Sequence, residues 1–105
     1  MAHSVAPQVH ADLDAIWFNI VRVSSGNVAA ADRIIENITR RFGLLGQHPR
    51  IGRTRDHDLR PGYRSYPVGE YTIIYTVRDG DEARILYVFP SRRDIPNLLD
   101  PLRDP

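Results

Sequence analysis

The sequence predicts an α+β fold: an N-terminal helical hairpin packed on a small antiparallel β-sheet, closed by a short C-terminal helix or turn. Three observations predict it. Two amphipathic stretches at helical spacing fill the first half of the chain. Runs rich in aromatic and β-branched residues fill the second half, and an Asp79-Gly80 pair joins the two strongest of them. Pro and Gly punctuate every junction between these segments. With 105 residues and no composition break or internal repeat, residues 1–105 suit a single domain.

The elements follow in order. Residues 1–6 are partly β-prone and offer one edge strand. Pro7 suits the first turn of a helix. From Val9, Leu13, Ile16, Trp17, Ile20 and Val21 recur at helical spacing, with Asp12, Asp14, Asn19 and Arg22 largely elsewhere on the wheel. Trp17 reads as the anchor of this helix in the core. Ser24-Ser25-Gly26-Asn27 breaks the pattern, and Asn27 is placed to cap the next helix. Ala31, Ile34, Ile35, Ile38, Phe42 and Leu45 make a second, longer apolar stripe. Asp32 and Glu36 early and Arg40 and Arg41 late match the sense of its dipole. Gly43, Gly46 and Pro49 are expected to end it. Two such helices joined by a short break form an antiparallel α-hairpin.

His48 to Pro61 lacks periodicity and reads as a surface loop. A short strand follows at Gly62–Val68, where Pro67 marks an edge strand or a strand end. Gly69-Glu70 turns the chain into Tyr71–Val77. Asp79-Gly80, a pair that accepts the positive φ angles of a type I′ turn, leads into Ala83–Phe89. Pro90 stops that strand, and Ser91–Leu99 forms a terminal turn or helix.

Strict alternation assigns two sheet faces. Tyr71, Ile73, Tyr75 and Val77, with Ala83, Ile85, Tyr87 and Phe89, form an apolar face for the helices. Thr72, Ile74 and Thr76, with Arg84, Leu86 and Val88, form a mixed face. That face is too polar for a second core and too apolar to stay bare. The C-terminal Ile95, Leu98, Leu99 and Leu102 and a partner protein are both expected to cover it.

Composition excludes several classes. Net charge is only +1, so bulk charge makes no case for nucleic acid. All fourteen basic side chains are Arg and none is Lys. Arginine favours bidentate contacts to carboxylate or phosphate, although a compositional preference of the source genome explains the bias equally well. There is no Cys, hence no disulfide framework or thiol chemistry. No apolar run reaches membrane-spanning length, and the N-terminus lacks signal-peptide character, so a soluble cytoplasmic protein is the default.

A search for chemistry leaves one constellation. His3, His10, His48 and His57 show no ligand spacing, and His57 between Asp56 and Asp58 reads as solvated loop, so no metal or other cofactor is expected. Ser24, Ser25, Ser65 and Ser91 sit in no nucleophile elbow. No strand precedes Gly43–Gly46, as a phosphate-cradling loop would need. Arginines remain: Arg50, Arg53 and Arg55 in the loop, Arg60 and Arg64 around the first meander strand, Arg92 and Arg93 after the last. If the entry and exit of the sheet converge, they gather into a cluster suited to phosphate or an acidic protein surface. Neighbouring Asp56, Asp58, Glu70, Asp94 and Asp100 offer the competing account, simple ion pairing.

The chain resembles a known family in three places: Leu44–Arg53, containing Pro49-x-x-Gly52-Arg53; Leu59–Tyr75, containing Gly69-x-Tyr71-x-Ile73-x-Tyr75; and Tyr87–Asp94, ending in Arg92-Arg93-Asp94. Together they resemble the ParE branch of the RelE/ParE toxins, the toxin half of type II toxin–antitoxin (plasmid stabilisation) modules. The resemblance spans about Asp12 to Leu99. It implies the same helical hairpin on an antiparallel sheet. It also implies a cognate antitoxin whose C-terminal segment wraps the toxin and meets the mixed face at Thr72, Ile74, Leu86 and Val88.

Members of the superfamily act on two targets. RelE-like members cut mRNA on the ribosome; ParE-like members inhibit DNA gyrase. The chain fits the ribonuclease pattern poorly. It has no Lys. Thr72 stands where RelE-like enzymes place an Arg, Pro90-Ser91 fills a position often held by His, and no Tyr or His follows Arg93. Arg92 matches a basic position shared by both branches. General acid–base cleavage needs a pair within reach of the reacting oxygens, and no catalytic residue is nominated. Three readings follow. The first is a gyrase-binding toxin contacting its target through Arg60, Arg64, Arg92 and Arg93, with no membrane and no sequence-specific DNA binding of its own. The second is an mRNA interferase with Arg64 and Arg92 on phosphate and Tyr66 or His57 as base. The third is a non-toxic corepressor that acts only with an antitoxin.

Overall fold

A computed structural model describes residues 2–98. The chain runs β1 (His3–Val5), α1 (Pro7–Val23), α2 (Val28–Gln47), β2 (Arg53–Thr54), β3 (Tyr63–Val68), β4 (Tyr71–Arg78), β5 (Glu82–Pro90) and α3 (Ile95–Leu98). The strands form one sheet in the order β1-β5-β4-β3-β2. The β3-β4-β5 meander is antiparallel, as is β2 on β3. The N-terminal edge strand is present, but it runs parallel to β5, so the sheet is mixed. A parallel neighbour requires a crossover, and the α1–α2 hairpin supplies it.

Local chemistry explains the helical layer. Pro7 occupies the first turn of α1, where a missing N–H costs nothing. At its other end Ser25 (φ 58°) and Gly26 (φ 92°) take left-handed conformations, and the Gly26 N–H returns to the Val21 carbonyl at 2.8 Å. Asn27 caps α2, its side chain accepting from the Ala30 N–H at 2.9 Å. Trp17 packs at the margin of the core, and its indole N–H reaches Asp32 at 2.8 Å, tying α1 to α2. Gly43 and Gly46 do not stop α2, which continues to Gln47. Gly46 instead lets β1 approach: a Cβ there would lie 3.2 Å from the Ala2 carbonyl carbon.

The turn between β4 and β5 falls one residue later than the Asp79-Gly80 pair predicts. Residues Asp79–Asp81 form a single 3₁₀ turn, and the positive φ angles belong to Gly80 (77°) and Asp81 (61°). Asp accepts this conformation better than most residues.

The main departure from simple alternation lies in β5. Tyr75 pairs with Ile85, but Ile74 pairs with Tyr87, so Leu86 is an extra residue, a β-bulge. A one-residue insertion inverts every later side chain. Ala83 and Ile85 face the helices as expected. Beyond the bulge, however, Val88 turns inward and is 1% exposed, and Leu86 packs against the same core. Tyr87 and Phe89, expected inside, move to the opposite face, where their rings stack at 5.2 Å.

Two apolar layers result. The larger joins Val9, Ile16, Ile20, Ala31, Ile38, Phe42 and Leu45 to Ile73, Tyr75, Ile85 and Val88. The smaller, on the far face, places Ile74 under Ile95 of α3, with Leu59, Tyr63, Tyr87 and Phe89 around them. Ile95 thus provides the expected C-terminal cover; Leu99 and Leu102 lie outside the described residues.

Candidate functional site

The arginines do not converge. A meander of three strands begins and ends at opposite ends of the sheet, because an odd number of antiparallel passes cannot return to its start. Tyr63, at the entry to β3, pairs with Thr76 beside the β4–β5 turn, whereas Pro90, at the exit of β5, pairs with Tyr71. Arg60 and Arg64 therefore sit at the turn end and Arg92 and Arg93 at the other. Four residue steps along β4, roughly 13 Å of strand, separate Tyr75, the partner of Arg64, from Tyr71, the partner of Pro90.

At the turn end Arg50, Arg55, Arg64 and Arg78 are committed. The Arg64 guanidinium donates to the carbonyl oxygens of Gly52 at 2.8 Å and Arg50 at 3.2 Å, which makes it a brace for the loop before β2. Arg50 pairs with Asp81 at 2.8 Å, and Arg78 lies 3.8 Å from Glu82. Arg55 grips Asp58 with two guanidinium nitrogens and also reaches the buried Ser65 hydroxyl at 3.1 Å. Arg55 holds the Asp58 carboxyl below its usual range. Of the acidic residues the sequence offered as partners, Asp58 forms its ion pair here; Arg50 and Arg78 pair instead with Asp81 and Glu82, and Arg64 is held by carbonyls. The loop itself hangs on Tyr75, which is fully buried. Its hydroxyl accepts from the Gly52 N–H at 2.9 Å and donates to the Pro49 carbonyl at 2.7 Å. The loop was expected to be irregular throughout; held this way, its Arg53 and Thr54 add a strand to β3.

The other end differs. After Val5 the chain leaves β5 to start α1, so the distal half of β5 has no strand on that side. The side chains of α1 take the place of one. Gln8 donates to the Leu86 carbonyl at 3.0 Å, and Asp12 accepts from the Val88 N–H at 3.0 Å. One helical turn, i to i+4, matches two residues of strand because both span about 6 Å. Beyond Asp12 the helix and strand diverge and a cleft of ≈ 390 Å³ opens. Ile16, Val88 and Leu98 give it an apolar wall; Asp12, Asn19, Tyr71, Arg92 and Arg93 give it a polar rim. Burial pushes the Asp12 carboxyl above the usual carboxylate range, and the Val88 N–H only partly offsets this. Burial and the nearby Glu70 raise the Tyr71 phenol, against the pull of Arg92.

Among the described residues Arg92 and Arg93 make no ion pair, and both are exposed. The residues expected on an open mixed face are placed otherwise. Ile74 is fully buried beneath Ile95, and Val88 and Leu86 belong to the helix-facing core. Thr72 is 8% exposed, its hydroxyl 2.7 Å from that of Ser91. Asp12, Asn19 and Tyr71 were absent from the sequence-based site. The available signal was the pair Gln8 and Asp12, polar at i, i+4 among apolar Val9, Leu13 and Ile16. No group of three His, Asp or Glu among the described residues is placed to hold a metal ion, and none of their helices is long and apolar enough to cross a membrane.

Residues 4–95 match the family described as ParE toxin of type II toxin-antitoxin system, parDE. The chain belongs to that family. It is 31% identical to Toxin ParE3 of Caulobacter vibrioides over 87 residues, 83% of either chain. It is 28% identical to Toxin ParE1 of Mycobacterium tuberculosis over 91 residues, 87% of this chain and 90% of that one. Its fold matches a solved chain titled Chromosomal ParDE TA system from P. aeruginosa with a TM-score of 0.71, at 24% identity, over 86% of this chain and 95% of that one.

Proposed function

We propose that this ParE-family toxin halts growth by binding DNA gyrase, without cleaving RNA, and that a cognate antitoxin holds it silent as a hetero-oligomer. The observation that carries the choice of target is the separation of Arg64 from Arg92. A ribonuclease site built on these two would need both guanidinium groups at one phosphate, with a base beside them. Arg64 instead turns its Nη1 to the Gly52 and Arg50 carbonyls. Arg92 and Arg93, exposed and outside any ion pair among the described residues, remain suited to an acidic or phosphate-bearing surface on a large target. Arg60 lies at the far end of the sheet, and a target contacting it as well would have to span the meander.

Purified gyrase tests the reading. Saturating toxin should abolish supercoiling, and the Arg92→Glu/Arg93→Glu variant should restore most of it. Undiminished supercoiling would remove gyrase as the target. Discrete cuts in ribosome-bound transcripts from cells expressing the toxin would favour the interferase reading. Normal growth on expression alone would favour the corepressor.

A further inference from the structure

We infer that the cleft between α1 and the distal half of β5 seats an apolar–acidic segment of the antitoxin, with its carboxylate on Arg92 and Arg93. This rests on the reading that an antitoxin binds the chain. It moves the antitoxin contact from the inner strand residues expected from alternation to a surface that is open.

Three observations support this occupant. The first is charge complementarity. At the turn end Arg50, Arg55 and Arg78 each have an acidic partner, whereas Arg92 and Arg93 have none among the described residues. Asp12, the carboxylate in the same cleft, is turned to the Val88 N–H and makes no ion pair with them. An incoming carboxylate would meet two guanidinium groups that make no ion pair among the described residues, an arrangement suited to bidentate pairing. The second is the wall. Ile16, Val88 and Leu98 line a volume of ≈ 390 Å³, room for an apolar side chain next to the acidic one. The third is the edge of β5. Gln8 and Asp12 already satisfy the Leu86 carbonyl and the Val88 N–H. At these two groups a partner strand is not needed, and side chains should make the contact there. The same placement accounts for neutralisation: an antitoxin seated here covers the two arginines proposed to meet the target.

The test uses the full-length chain and the antitoxin candidate from the neighbouring reading frame. Titration calorimetry should show Arg92→Glu/Arg93→Glu binding at least about tenfold more weakly than wild type, with the affinity losing much of its salt dependence. Arg50→Glu/Arg78→Glu, a reversal at the turn end, should bind within about twofold of wild type. Replacing the contacting acidic residue of the antitoxin with Arg should recover affinity for the Arg92→Glu/Arg93→Glu toxin. In ¹⁵N-labelled toxin the amides of Ala15, Asn19 and Val88 should shift on saturation. If the neighbouring protein fails to bind wild-type toxin, the antitoxin reading falls and this inference with it. If it binds wild type and the Arg92→Glu/Arg93→Glu variant equally, or leaves the cleft amides unmoved, only this inference falls. Cleft amides that shift with toxin concentration alone would assign the cleft to a second copy of the chain and overturn it.

Discussion

The Tyr75 hydroxyl occupies the space that a side chain at position 52 would need. It bonds the Gly52 N–H and the Pro49 carbonyl together, and a Cβ on Gly52 would collide with the hydroxyl and with the ring. The Pro49-x-x-Gly52-Arg53 motif and the tyrosine of β4, far apart in the chain, are thus one structural unit. Its product is the short strand β2 and the bracing of the loop by Arg64.

Breaking this unit should be costly. Tyr75→Phe leaves a buried N–H and a buried carbonyl without their partner and should destabilise the fold by about 1–3 kcal/mol. Gly52→Ala should cost at least as much, because the ring it strikes is packed in the core. Urea unfolding of the two variants, read as a shift in midpoint at constant slope, checks both.

The same hydroxyl gives an alkaline signature. Burial raises the Tyr75 pKa above the ordinary tyrosine value, against the opposing effect of the Gly52 N–H. A folded-state pKa raised above the unfolded one contributes stability that is complete below the unfolded value and disappears as pH climbs through the folded value. Wild type should therefore lose stability relative to Tyr75→Phe only above pH ~10. Melting temperatures of the pair from pH 7 to 11 give the comparison.

Asp12 should behave differently at acid pH. Its folded pKa is raised by burial, so its ionisation opposes folding near neutrality, and the contribution turns favourable as pH falls towards the unfolded value. Asp12→Asn keeps an acceptor for the Val88 N–H without the charge. It should equal or exceed wild-type stability at pH 7, with the wild type gaining relative to it as pH falls towards the ordinary Asp value of about 3.9. Asp12→Ala removes the acceptor and should cost about 1 kcal/mol at pH 7. Chemical denaturation across that range distinguishes the three proteins.

The bulge at Leu86 predicts which β5 residues tolerate a charge. Val88→Asp places a carboxylate in the helix-facing core and should cost about 3 kcal/mol or more, or prevent folding. Phe89→Asp falls on the far face, where residue 89 is only half-buried, and should cost clearly less. Simple alternation orders the two the other way, so ranking their unfolding midpoints tests the register directly.

The two glycines of α2 should part company. Gly43 has open space where a Cβ would go, and Gly43→Ala should stabilise the helix by about 0.5–1 kcal/mol. Gly46→Ala gains the same helical preference but pushes on Ala2 and His3 of the β1 segment, where contacts would be 3.2–3.3 Å. Its melting temperature should fall below that of Gly43→Ala.

The helical layer was legible because its signals are local. Pro7, the Ser24–Asn27 break, the Asn27 cap and the apolar stripes act within a few residues of one another, and each appears where the sequence placed it. The same holds for the β4 faces, where pure alternation assigns Ile73 and Tyr75 to the helices and Ile74 to the far side. The glycines of α2 misled, since a residue that ends helices elsewhere serves here to admit a neighbouring strand.

By itself, then, the sequence determined the hairpin of helices, the N-terminal edge strand, the meander and the family to which the chain belongs, but not the short strand β2. The tertiary structure alone decided which way β1 runs, where β5 gains a residue, which arginines are free and where the cleft opens. The physical reason is range. Periodicity and capping are set by neighbours in the chain, but a bulge, a parallel pairing or a tyrosine reaching Pro49 and Gly52 is set by groups that become neighbours only after folding. A single inserted residue between Ile85 and Tyr87 reverses all the side chains that follow, and strand composition carries no mark of it.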